Sequence, residues 1–373
     1  MNILYFSPIM WDALKQRPQH LAEELSKYHR IQYIEPTVSF IKSKLEGSGL
    51  YKSRRIHVNQ NLEVIRLDGT YKLPNSLKPM DLFGINDLYE RRIILKYIMD
   101  SDIVWLGSPL YYDLVKNSID TKHLVYDKMD DYIAITNNIL LKIVVRKNER
   151  QVLRQSDLVL TSATQMYQEM IDLYRLNVML INNGVDLKFA YNADIHKAIY
   201  DEIIELKKGH RIIFGYIGTI DRWFDFEAIM KILQYDSDFH VILIGVNNLA
   251  RVSHPRIHYI DPVDKVYLAS LVKLFDYCLY PFKMNDFLKT IDPVKVYEYL
   301  SLNKRVIAVN SPETARFNCL ISLYDNYSEL DYILSNLKDL RMPFTSEINL
   351  KKFVSENSWE SRVKIISDKL CKL

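Results

Sequence analysis

Short apolar runs recur along the chain, and between them the apolar positions shift to helical spacing. The first run, Asn2-Ile-Leu-Tyr-Phe-Ser7, has no helical period and predicts a buried strand. Arg17 to Tyr28 then places Leu21, Leu25 and Tyr28 on one helical face. Further strands are expected at Ile31–Ile34, Leu62–Arg66, Ile103–Leu106, Leu124–Tyr126, Leu158–Thr161 and Val178–Ile181, interleaved with helices over Leu88–Met99 and Asn137–Gln155. Continuous apolar strands alternating with helices predict an α/β fold, with a parallel sheet covered on both faces.

The stretch Asn182-Asn-Gly-Val-Asp186 carries turn chemistry. A second series follows: a strand within Arg211–Gly218, a helix over Asp225–Gln234, strands at His240–Ile244, Ile257–Ile260 and Tyr277–Tyr280, and the buried run Val306-Ile-Ala-Val309. The architecture repeats while the sequence does not, so two αβα domains are expected, with a hinge near 182–195. The expected divisions are 1–185, 186–355 and a tail, 356–373. In that tail Trp359, Val363, Ile366 and Leu370 recur at helical spacing and need an apolar surface to cover.

A length of 373 residues accommodates two cores, and 48% hydrophobic with 25% charged residues excludes a disordered chain. The 49 Lys and Arg against 46 Asp and Glu leave a net charge of +3, which gives no general argument for nucleic acid. Cys278, Cys319 and Cys371 are odd in number and lack metal or redox spacing, so they read as reduced cytosolic thiols. The amino terminus turns polar too early for a signal peptide, and no uncharged apolar stretch reaches the ~18 residues of a membrane span. A cytoplasmic protein is expected, free or docked on a membrane surface. Asn137 to Arg150 joins an apolar run to four basic residues, and Ser39–Lys44 and Lys52–Arg55 add basic character. Two readings stand side by side: an interfacial helix on an anionic membrane, or Ile139, Leu140 and Ile143 facing the core.

Candidate chemistry falls at the ends of the predicted strands, where open α/β sheets build their sites. Asp292 is placed to cap a helix starting at Pro293, whose free amides suit phosphate. Lys295 and Glu298, three residues apart near that end, offer a cation for phosphate and a carboxylate for ribose hydroxyls, or else form a solvated ion pair. Gly218 follows a buried strand and admits close backbone approach, with Arg222 able to reach a diphosphate. Asp127, Asp130 and Asp131 follow another strand, where they can hold sugar hydroxyls, perturb one another's pKa or bind a cation, or else serve as helix caps. Trp11, Arg17 and His20 lie after the first strand, where Trp and Arg suit a sugar; the other readings are Trp11 as packing and His20 as a surface helix residue. Neither a GxGxxG fingerprint, a Walker A sequence nor HExxH is present, and the remaining acids and histidines show no metal-ligand spacing.

In order, RPQHLAEEL, YDKMDD, SDLVLTSA, INNGVD, GYIGTIDRWFD, YPFKMNDF, DPVKVYEYLSLNKRVIAV and NSWESRV resemble bacterial glycosyltransferases of the GT-B fold over nearly the whole chain. The likeness is to the retaining family that builds polysaccharides and glycolipids, in its teichuronic-acid and capsule-type branch. It implies two Rossmann-like αβα domains facing a deep cleft, with the C-terminal helix packing across them. The implied reaction moves a sugar with retention from a UDP- or GDP-sugar to a glycan or lipid-linked glycan, in cell-surface polysaccharide synthesis, without cofactor or essential metal. By the same resemblance Gly218, Thr219, Arg222, Asp292, Pro293, Val294, Lys295 and Glu298 hold the nucleotide sugar. Trp11, Arg17, His20, Asn183 and Asn285 contact substrate, and Asp127, Asp130 and Lys295 serve catalysis. Glu298 matches the second glutamate of the family's paired-glutamate motif, whereas the first falls on Thr290. Asp127 stands where many relatives have histidine. The alternatives are a nucleotide-sugar 2-epimerase of the same architecture and a non-catalytic glycosyltransferase-like subunit.

Overall fold

The computed structural model describes residues 1–72, 85–136, 138–174, 177–191 and 193–373. Two compact units emerge: Met1–Asn182 together with Arg362–Leu373, and Asn183–Ser361. The boundaries therefore fall at Asn182 and Ser361, where 185 and 355 were expected.

The first unit is built on strands β1 (Asn2–Phe6), β2 (Arg30–Ile34), β3 (Arg54–Asn59), β4 (Leu62–Arg66), β5 (Ile103–Leu106), β6 (His123–Lys128), β7 (Leu158–Thr161) and β8 (Val178–Leu180). They form one sheet in the order β3-β4-β2-β1-β5-β6-β7-β8. All neighbours are parallel except β3 and β4. Strand β3 has no counterpart in the apolar pattern because it is an exposed edge bearing Arg54, Arg55 and His57, the composition that keeps edges from pairing with other chains. The helix Arg17–Leu25 stops three residues short of Tyr28, which is 49% exposed. The helix expected from Asn137 spans Ile139–Gln155, and Asn137 itself lies outside the described residues.

The second unit carries β9 (Ile212–Ile217), β10 (Phe239–Ile244), β11 (Ile257–Ile260), β12 (Tyr277–Tyr280), β13 (Arg305–Val309) and β14 (Ser322–Tyr324). Its sheet is all parallel, in the order β11-β10-β9-β12-β13-β14. Asp225 caps the helix Phe226–Tyr235, its Oδ1 accepting from the amides of Glu227 and Ala228. The tail helix Trp359–Leu370 buries Trp359, Val363, Ile366 and Leu370 as its spacing predicts. The Trp359 amide donates to the Val185 carbonyl in the second unit, and Ser367 bonds His29 Nε2 at 2.8 Å in the first.

Candidate functional site

In the first unit the strand-end residues converge on buried charge. Arg17 opens its helix but turns inward: Nε donates to both carboxylate oxygens of Asp127 at 3.1 Å, Nη2 to Oδ1 at 2.9 Å, and Nη1 to the Ile181 carbonyl at 2.7 Å. Both side chains are almost wholly buried, so the Arg17 guanidinium is taken up by Asp127 and the Ile181 carbonyl. Asp130 is half-buried. Burial pushes its pKa up to about 7, with Asp127 adding to the rise and Arg17 opposing it. Asp131 is a cap, its Oδ1 accepting from the Ile133 and Ala134 amides.

Trp11 is half-buried, its ring edge-on to Tyr33, and its amide donates to Glu35 Oε1 at 2.7 Å. His20 is buried on the Arg17–Leu25 helix. Glu35 was missed by the sequence reading although it follows β2 at a strand end, the same signal that drew attention to Asp127. Its carboxylate is buried and also accepts from Arg54 Nη2 at 3.0 Å and Arg66 Nε at 2.9 Å.

In the second unit, the helix Val294–Ser301 places Glu298 and Lys295 one turn apart. Glu298 is buried, Lys295 Nζ donates to its Oε2 at 2.8 Å, and Lys265 Nζ stands 3.7 Å from Oε1. Lys265 also lies 3.3 Å from Asp186. A buried carboxylate between two partly exposed ammonium groups is not the solvated pair of the simpler reading. Lys265 and Asp186 come from distant segments; Asp186 stood in the sequence only as the end of a turn, and no local pattern pointed to Lys265.

Asp292 does not cap this helix. Pro293 occupies the N-cap and Val294 is the first helical residue. The Asp292 side chain instead accepts from the Asn183 amide at 2.5 Å, from Arg316 Nη2 at 3.2 Å and from the Tyr297 hydroxyl at 3.3 Å, while Asn183 Nδ2 donates to the Asp292 carbonyl. Arg316, also missed, bonds Glu313 through Nη1 at 3.0 Å. Its remoteness in sequence hid it. Thr290, at the position of the family's first glutamate, is buried with its hydroxyl donating to the Phe287 carbonyl at 2.8 Å.

At the end of β9, Gly218 has φ +147 and Gly245 has φ +139, and a Cβ on Gly245 would sit 2.2 Å from the Gly218 carbonyl oxygen. Only glycines let these two strand ends approach so closely. Thr219 is half-buried, its carbonyl accepting from the Tyr216 hydroxyl at 3.0 Å. The Arg222 side chain is exposed. Asn285 is exposed, its Oδ1 accepting from the Leu288 amide at 2.9 Å where the turn Leu288–Thr290 begins. Among the described residues, no group of three or more His, Cys, Asp or Glu side chains is arranged to hold a metal ion.

No protein-family model matches the chain. Over 222 residues, 55% of each chain, it is 22% identical to a Bacillus subtilis protein assigned to teichuronic acid biosynthesis as the glycosyltransferase TuaH. The chain thus spans about half the length of this curated relative. Among solved structures it resembles the Escherichia coli trehalose-6-phosphate protein bound with UDP-2-fluoro glucose (TM-score 0.72, 10% identity, 100% of this chain and 99% of that one). Anabaena HepE in complex with UDP-glucose aligns with TM-score 0.69 and 14% identity over 100% of both chains. The sucrose-phosphate synthase of Thermosynechococcus elongatus aligns with TM-score 0.72 and 13% identity, covering 100% of this chain and 98% of that one. These likenesses show the fold: two Rossmann-like α/β units in the GT-B arrangement of elements.

Proposed function

We propose that the protein is a cytoplasmic glycosyltransferase that takes a sugar from a UDP-sugar and places it, with retention, on a glycan or lipid-linked glycan of the cell surface. The observation that carries this reading is Glu298, a buried carboxylate held between Lys295 and Lys265 on the helix Val294–Ser301. Carboxylates accept strongly from ribose hydroxyls, and cations beside them neutralise a diphosphate. The relative in teichuronic acid biosynthesis and the UDP-sugar complexes of the structural neighbours support it.

In this reading Glu298 binds ribose, and Gly218, Thr219, Pro293 and Val294 let backbone approach the diphosphate. Lys295 and Arg222 stabilise the charge that grows on the leaving group, as preorganised donors do. The acceptor hydroxyl attacks from the leaving-group side, its proton passing to the departing phosphate oxygen as the sugar–phosphate bond breaks and the glycosidic bond forms. No protein nucleophile and no metal are needed. Asp127 lies wholly within its pair with Arg17, so Asp130 is the acid of the pair that orients sugar or acceptor. Asp292 and Asn183 fix the turn before the helix.

Calorimetric titration with UDP tests the assignment. Glu298→Ala is expected to weaken UDP binding by roughly tenfold or more, since a hydrogen bond to a charged group contributes about 1.5–3 kcal/mol. Equal affinity in wild type and variant would overturn it. UDP binding without hydrolysis or transfer across a panel of UDP-sugars and glycan acceptors would favour a non-catalytic subunit instead, and interconversion of a UDP-sugar alone would favour an epimerase.

A further inference from the structure

The helix Ile139–Gln155 has two unlike sides. Val145, Asn148, Glu149, Val152 and Leu153 are buried. On the opposite side Ile139 is 74% exposed, Leu140 51% and Ile143 61%, which removes the reading that these residues face the core. At 100° per residue, Arg146, Lys147, Arg150 and Arg154 continue the stripe begun by Ile139 and Ile143, and all four are exposed. The uncovered side therefore runs from apolar in its first turns to cationic in the rest. Its one acid, Glu149, is buried on the other side, accepting from Lys128 Nζ at 2.6 Å and the Tyr126 hydroxyl at 2.9 Å. The short helix Tyr132–Ile135, which packs against this one, adds Ile135 at 41% exposure beside the apolar end.

We propose that this stripe is a docking surface for an anionic lipid bilayer. Exposed apolar side chains at one end enter the boundary between headgroups and acyl chains, while the cations along the rest meet lipid phosphates. Charge selects this occupant. A second copy of the chain docked symmetrically would set the cations against its own cations or against its apolar end, with no acid to pair them, and a nucleic acid would leave the three apolar side chains in water. No helix among the described residues is long and apolar enough to cross a membrane, so the attachment is peripheral.

Co-sedimentation of the full chain with vesicles tests the inference without donor or acceptor, so its failure and that of the glycosyltransferase reading are separable. Wild type is expected to pellet at low salt with vesicles of equal parts phosphatidylglycerol and phosphatidylcholine, but not with phosphatidylcholine alone. Arg146→Glu with Lys147→Glu should lower partitioning by tenfold or more, because each cation near an anionic leaflet contributes about 1 kcal/mol. Ile139→Ser with Ile143→Ser should lower it severalfold while leaving its salt dependence unchanged. All four substitutions lie on exposed positions, and retained UDP binding or far-UV dichroism verifies folding. Wild type remaining in the supernatant would overturn the proposal. So would serine variants that pellet like wild type, or a concentration-dependent dimer abolished by those variants with no vesicle binding.

Discussion

Arg17 and Asp127, 110 residues apart in sequence, form a buried pair in which one guanidinium grips both carboxylate oxygens. The remaining Nη1 closes on the Ile181 carbonyl, just past the end of β8. One side chain thus joins the helix after β1, the end of β6 and the end of the unit's sheet.

Removing one partner of such a pair strands the other charge in a medium that solvates it poorly. Asp127→Ala should therefore destabilise the first unit by about 3–5 kcal/mol, measured by urea unfolding. Asp127→Asn should cost less, since an amide oxygen still accepts from Arg17. A loss below about 1 kcal/mol in the alanine variant would mean that the pair contributes little.

Asp130 gives the pH dependence its sign. Its folded pKa of about 7 lies above that of an unfolded aspartate, so the folded state holds the proton more tightly. Its contribution favours folding below about pH 4 and is lost as pH rises towards 7. Asp130→Asn should flatten that part of the stability curve, so that wild type falls relative to the variant between these limits. Parallel curves would show that the carboxyl titrates normally. If the group also orients substrate, the same variant should lower turnover with little change in UDP affinity.

Arg316 forms ion pairs with Asp292 and Glu313, whose side chains are fully buried. Arg316→Met keeps much of the stem's volume and removes the donors. It should cost about 2–4 kcal/mol and weaken UDP binding by loosening the turn before Val294. Unchanged thermal stability and UDP affinity would remove Arg316 from the site.

Gly245→Ala introduces a Cβ where the Gly218 carbonyl oxygen already stands, at a φ of +139. Relief requires β9 and β10 to part at their ends. A loss of about 2 kcal/mol or more is expected, read as a lowered Tm, with weaker UDP binding. A variant as stable as wild type would show that these strand ends yield freely.

The sequence determined the parts of this protein whose signal is local. Buried parallel strands such as Ile103–Leu106 and Tyr277–Tyr280 are apolar on both faces and bounded by polar turns, so their positions are legible without any partner. The spacing of Trp359, Val363, Ile366 and Leu370 marked the tail helix for the same reason. Strand β3 was not legible because an edge needs charge rather than apolar surface. Tertiary structure alone decided where the charged side chains went. Asp292 looked like a cap by position, yet its carboxylate turned to Asn183 and Arg316. Lys265 joined Glu298 across 33 residues of chain that carry no common motif. Ile139 and Ile143, apolar by type, were left uncovered because the helix seated its other side on the core. A periodic pattern shows that a helix has two sides, but which one the fold covers depends on what packs against it.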